Sequence, residues 1–296
     1  MSPFSERLAR RVLDRKSPLC VGIDPHLDRL AVQWNCGAPD LASPPVRQEM
    51  AERVAAWARG VLEAVEPYAA AVKPQVAFFE ALGAPGVRAL EDVVQAASEL
   101  EIPVVLDAKR GDIGSTAEAY ARGTLDDDGP MGADSITLSP YLGPESMGPF
   151  LRRCEQGKGL FVLVRTSNPG AGSWQVDGPQ PIAPAVAAWV HEQSSSRRDA
   201  WGFGPVGAVV AATVPEEAAM WRRAMPHAWL LVPGFGAQGG GPGDVENLFA
   251  PSGLGALVNS SRGVLFGNEA DSDIRVGVAA RADEAARVLG EVAGLR

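Results

Sequence analysis

Short apolar runs alternate with helix-period stretches along this chain, and that alternation limits its fold more than any other feature. Eight runs rich in Val, Ile and Leu recur: Leu19–Asp24, Ala70–Lys73, Val104–Asp107, Ser135–Ser139, Leu160–Arg165, Ala208–Thr213, Trp229–Pro233 and Ala256–Asn259. Each is bounded by Gly, Pro or a polar residue, as strands buried on both faces of a parallel sheet are. Between them, Met50, Val54, Trp57, Val61 and Leu62 fall on one helical stripe, as do Val87, Leu90, Val94 and Ala97. Repeats of this kind are βαβ units, and eight of them close into a (β/α)8 TIM barrel. An open doubly wound sheet is the structural alternative. No repeat or linker divides the chain, so residues 1–296 read as a single domain. Two stretches break the rhythm and read as loop insertions, near 33–45 (QWNCGAPDLASPP) and 171–184, and Gly239–Gly243 is a third glycine-rich segment.

Composition removes whole classes of function. A chain with 46% hydrophobic and 21% charged residues is not disordered. No apolar run approaches the ~20 residues of a membrane span, so no membrane partner is expected. The N-terminal MSPFSERLARRVLDRKSP lacks the apolar segment of a secretory signal. Thirty-six acidic residues against 27 basic ones leave a net charge of −9, which repels a phosphate backbone, so nucleic acid is not an expected partner. The pairs Arg197-Arg198 and Arg222-Arg223 read as solvated helix faces. Cys20, Cys36 and Cys154 are odd in number and form no CxxC, which suits a reducing, cytoplasmic compartment. His26, His191 and His227 do not cluster, and no metal signature is present, so no metal site is expected.

In a barrel the active face is built at the C-terminal strand ends. Those ends carry Asp24, Lys73, Asp107 with Lys109, Ser139, Arg165 to Ser167, Thr213, Pro233-Gly234 and Asn259 to Arg262. The sharpest piece is Leu106-Asp-Ala-Lys-Arg-Gly-Asp112, a D-x-K-x-x-D pattern. Two apart on a strand, Asp107 and Lys109 point into the barrel mouth, with Ala108 facing the helices. Lys73 would join them, making an alternating Lys–Asp–Lys array in which each charge is held by opposite neighbours; a plain ion-pair cluster is the alternative. The run Leu231–Gly240 contains G-x-G-x-x-G at Gly234, Gly236 and Gly239. It lacks the acidic residue of a dinucleotide site, and reads better as a phosphate loop after the seventh strand. Arg262, closing the eighth, could clamp the same phosphate.

Together the ordered motifs VGIDP, VKPQ, LDAKRGDIGST, RTSNPGAG, VPGFGAQGG and NSSRG resemble the orotidine 5′-phosphate decarboxylase family, specifically its longer bacterial subgroup, over roughly Leu19 to Leu265. The resemblance implies cofactor-free conversion of orotidine 5′-monophosphate (OMP) to UMP and CO2 in pyrimidine biosynthesis. It implies that Asp24 and Lys73 hold the ribose, Asp107 lies against the substrate carboxylate, and Lys109 donates the replacing proton. It assigns Ser167 to the pyrimidine edge and Gln238, Gly236 and Arg262 to the phosphate. The resemblance also implies a homodimer in which Asp112 and Thr116 reach into the neighbouring site; the competing reading has Asp112 capping the helix that starts near Ser115. The rivals are a Mg-dependent keto-sugar-phosphate decarboxylase or aldolase on the same barrel, which shares D-x-K-x-x-D, and a non-catalytic nucleotide-binding barrel.

Overall fold

In the computed structural model, which describes residues 2–212, 215–236, 239–267 and 274–296, all eight apolar runs are strands. They are β1 (Leu19–Ile23), β2 (Ala71–Pro74), β3 (Val105–Arg110), β4 (Ser135–Leu138), β5 (Gly159–Arg165), β6 (Val206–Val210), β7 (Leu230–Val232) and β8 (Ala256–Ser260). Every pairing is parallel, in the order β2-β1-β8-β7-β6-β5-β4-β3. Bridges Val72–Val104 and Gln75–Asp107 join β2 to β3, so the sheet curls into a (β/α)8 barrel rather than staying open. The helix between each pair of strands returns the chain to the same end, and parallel pairing follows from that.

Alternation along the strands sorts side chains between two cores. Cys20, Ala71, Val105, Phe161, Val209, Leu231 and Leu257 fill the barrel interior. Val21, Val72, Leu106, Ile136, Leu160 and Val258 face the helices. Helix Phe4–Arg15 plugs the bottom with Phe4, Leu8, Ala9 and Val12, and Phe4 meets Phe161 edge-on at 6.0 Å. With one end closed by apolar packing, only the C-terminal mouth is left for polar chemistry.

The stripe Met50, Val54, Trp57, Val61 and Leu62 is buried on helix Pro44–Val65. On helix Ala84–Glu99, Leu90, Val94 and Ala97 are buried, and Val87 sits at the solvent edge. Both proline-bearing stretches are shorter than their composition suggests. Pro44 and Pro45 open one helix, and Pro184 lies in the first turn of helix Ile182–Ser195, where a missing N–H costs no bond.

Arg222 corrects the reading of its pair as a solvated face. It is buried, and its guanidinium donates to the carbonyls of Met225, Ala228 (2.8 Å) and Gly255 (2.9 Å). Burial with no carboxylate partner pushes its pKa down to about 10. The residue ties the segments on either side of β7 together from beneath. Among the described residues, no helix is long and apolar enough to cross a membrane.

Candidate active site

The site is organised around one carboxylate. Asp107, on the inward face of β3, is 6% exposed and accepts four hydrogen bonds. Lys73 Nζ (2.7 Å, from β2) and Gln75 Nε2 (2.9 Å) reach Oδ2. Lys109 Nζ (2.6 Å) and Thr137 Oγ1 (3.0 Å, from β4) reach Oδ1. Burial opposes the charge on Asp107, but Lys73 and Lys109 overcome it and hold the carboxyl well below the ordinary carboxylate range. Burial likewise opposes the charge on Lys73, and Asp107 and Asp24 reverse the effect, holding its ammonium above the ordinary lysine range. Both groups are therefore ionised at neutral pH.

Lys109 reaches this array by a distorted route. Simple alternation on a regular strand places it beside Asp107, yet β3 shifts register against β4 between Leu106 and Arg110. Lys109 adopts φ +46°, and its N–H donates to Thr137 Oγ1 at 2.9 Å instead of to a ladder carbonyl. A non-glycine residue in the left-handed region is held there by its surroundings. Here Thr137 holds both the Lys109 backbone and the carboxylate that its side chain meets.

A cavity of about 460 Å³ opens above the array. Its polar side carries Asp24, Lys73, Gln75, Asp107, Lys109, Thr137 and Asn259, and Leu163, Val209 and Leu231 form its apolar floor. Thr166, Ser167, Asn168 and Gln175 approach from the loop after β5, and Pro233, Gly234, Phe235, Ser261 and Arg262 from the loops after β7 and β8. Gln175 fixes the loop after β5. Its Oε1 accepts from the Thr166 N–H (2.9 Å), and its Nε2 donates to Thr166 Oγ1 (2.8 Å).

Six of the residues to which the resemblance assigns a role meet in one cavity, Asp24, Lys73, Asp107, Lys109, Ser167 and Arg262, together with Thr166, Pro233, Gly234, Asn259 and Ser261 of the strand ends read as the active face. Gly236, at φ +74°, does not line it; its N–H is bonded to Gly240 O (2.8 Å), and Gly234 is the loop glycine facing inward. The self-bonded turn explains the difference, since an N–H already paired within a loop cannot also cradle an anion. Gln238, and Thr213 at the end of the sixth apolar run, lie outside the described residues. Asp112 and Thr116 do not line their own cavity. Asp112 is no helix cap either: helix Gly114–Leu125 has Ile113 at its N-cap, and Asp112 Oδ1 accepts only the adjacent Ile113 N–H (2.8 Å). Among the described residues, no His, Cys, Asp and Glu side chains group to hold a metal ion.

Several lining residues carry no role in the sequence reading. Gln75 and Thr137 had a usable signal, being polar residues at inward, period-two positions of apolar strands. Asn168 and Gln175 sit on an irregular loop, where no period reports which way a side chain points.

Comparison with known proteins now bears on this geometry. Residues 17–272 match the orotidine 5′-phosphate decarboxylase / HUMPS family. The chain belongs to this family. It is 44% identical to the orotidine 5′-phosphate decarboxylase of Rhodopirellula baltica over 277 residues, covering 91% of this chain and 90% of the relative. The Deinococcus radiodurans enzyme of the same name is 43% identical over 274 residues, 92% of each chain. The solved structure of Leishmania donovani OMP decarboxylase superposes with a TM-score of 0.75 at 34% identity, covering 99% of both chains. Five of the six motifs that resemble the decarboxylase family fall at the mouth: VGIDP ends β1, VKPQ ends β2, LDAKRGDIGST leaves β3, RTSNPGAG leaves β5 and NSSRG ends β8; the sixth, VPGFGAQGG, leaves β7 and includes residues 237–238, which lie outside the described residues.

Proposed function

We propose that this chain decarboxylates OMP to UMP and CO2, the UMP-forming step of pyrimidine biosynthesis, and needs neither metal nor organic cofactor. The observation that carries the reading is the Lys73–Asp107–Lys109 array, with one ionised carboxylate held between two lysines at the cavity wall. In the reaction the bond from the pyrimidine ring to its carboxylate breaks, and CO2 departs. The electron pair stays on the ring carbon, and Lys109 Nζ delivers a proton to that carbon. A fixed ammonium stabilises the charge developing there without reorganising solvent, then acts as the acid. Asp107 sets a negative charge against the departing carboxylate and, by holding Lys109 at 2.6 Å, aims the proton donor.

The other roles are those the family resemblance implies. Asp24 and Lys73 take the ribose hydroxyls, Ser167 the pyrimidine edge, and Arg262 with Gln238 and the glycine loop at Gly234 the phosphate. A volume of about 460 Å³ suits a mononucleotide. Phosphate binding far from the scissile bond lets remote binding energy close the array around the transition state. The working unit is a homodimer in which Asp112 and Thr116 serve the partner's site. In support, neither lines its own cavity, and the neighbouring Ile113 is 57% exposed beside them. A two-fold pairing would make two such shared sites. The protein works in the cytoplasm, whose reducing conditions suit three free cysteines.

The test is the loss of OMP absorbance in the presence of EDTA. Steady turnover with UMP as product is the expected result. Activity abolished by EDTA and restored by Mg²⁺ moves the enzyme to the sugar-phosphate branch of the barrel. UMP binding without any turnover makes it a binding protein.

A further inference from the structure

Two buried acceptors at the seam between β1 and β8 receive no hydrogen bond from the described residues: Asp24 Oδ1 and Asn259 Oδ1. Both side chains line the cavity, and Asn259 is only 9% exposed. Asn259 lies opposite Cys20 of β1, two positions above inward-facing Leu257, and so stands just over the apolar floor. Its Nδ2 donates to Ser261 Oγ at 3.3 Å. Gly22 leaves this seam open, because a Cβ there would come within 1.8 Å of Ser261 Oγ and 3.3 Å of Asn259 Oδ1. An unpaired buried carbonyl destabilises the free protein, and an apolar side chain of the same branched outline would avoid that. A polar side chain in this place is accounted for by a ligand that brings a donor.

Resting on the reading that OMP is the substrate, we propose that Asn259 accepts a hydrogen bond from a ribose hydroxyl and, with Asp24, forms a two-acceptor clamp that selects ribonucleotides over deoxyribonucleotides. The position along the cavity identifies the donor. The lysine array begins at Lys73, directly across from Gly22 on the far side of β1, and Arg262 follows β8 by two residues. The seam therefore lies between the end that takes the ring carboxylate and the end that takes the phosphate. Those two groups offer acceptors, whereas the sugar between them offers O–H donors; the other donor of the nucleotide, the ring N3–H, belongs to the pyrimidine edge, which the reading gives to Ser167 on the loop after β5.

The experiment measures calorimetric binding of UMP, 2′-deoxy-UMP and 3′-deoxy-UMP to the wild-type protein and to Asn259→Leu, with OMP turnover of the wild type followed in parallel. Asn259→Leu removes an unpartnered acceptor while keeping the branched outline, so its ligand-free thermal midpoint stays level or rises where the open seam takes the larger side chain; Asn259→Ala supplies the same comparison with no added bulk. Wild type is expected to bind UMP about tenfold more tightly than one of the two deoxy analogues, the size of one good hydrogen bond. Asn259→Leu then weakens UMP by about the same factor and leaves that analogue within about twofold. Equal weakening of UMP and both analogues, or unchanged UMP affinity, overturns the proposal. A wild type that discriminates hydroxyls through Asn259 but does not turn over OMP defeats the decarboxylase reading and leaves the clamp standing.

Discussion

Replacing Lys109 by both alanine and glycine separates two things this residue does at once. Its backbone sits at φ +46°, a region that costs a residue with a Cβ about 1–2 kcal/mol. Both substitutions delete the same ammonium. The ion pair with Asp107 involves a side chain 48% exposed, and solvent screening holds its worth to roughly 0–1 kcal/mol. Alanine keeps the backbone strain, whereas glycine relieves it, against about 0.4–1 kcal/mol of extra freedom in the unfolded chain. Lys109→Gly is therefore expected to be more stable than Lys109→Ala by roughly 0.8 kcal/mol, a difference in thermal midpoint of about 1 °C in a chain of this length. Activity should not follow stability. Both variants lose the general acid, worth about 10²–10⁴-fold, and the loss of charge stabilisation adds to that. Thermal or denaturant unfolding gives the first comparison, and decarboxylation kinetics on the same preparations give the second. An alanine variant as stable as the glycine variant refutes the strain argument. A folded variant of either kind that keeps a tenth of wild-type kcat refutes Lys109 as proton donor.

Arg262→Ala should lower kcat/KM for OMP by about 1.5–3 kcal/mol and much less for orotidine lacking its phosphate; equal losses on both would place Arg262 away from the phosphate. Lys109→Ala and Asp112→Asn chains, each nearly inactive alone, should regain activity when refolded together, since each mixed dimer has one site with both native residues; verified mixed dimers as inactive as their parents sink the shared-site reading. Asp107 is held below its unfolded value of about 3.9, so its contribution to stability is present above that pH and is lost as pH falls below it. The stability gap between wild type and Asp107→Asn should accordingly narrow below about pH 4, and a gap that widens on acidification contradicts the ionised, doubly paired carboxylate. On the alkaline side the raised Lys73 contributes fully below about 10.5 and loses its contribution only at higher pH, so Lys73→Met and wild type should show parallel stability profiles between about pH 6 and 9.

The barrel and its charged centre were legible in the residues because both rest on short-range periods. A buried parallel strand declares itself by a few apolar residues between turn formers, and eight such runs with helical stripes between them leave little choice of architecture. The Asp-x-Lys spacing, with a lysine ending the preceding strand, likewise carries the alternating array within single elements. What the tertiary structure decided is everything that depends on register between elements. Thr137 meets Asp107 across 30 residues of sequence, and only the pairing of β3 with β4 shows that it also holds the Lys109 backbone. The bulge that sets Lys109 at positive φ, the burial of Arg222 among carbonyls, the pairing of the Gly236 N–H within its own loop, and the open seam at Gly22 all arise where chain segments meet. Alternation reports which side of a strand a residue faces, but not which atoms wait there. Those partners are fixed by strand register and barrel closure, and these are properties of the assembled sheet.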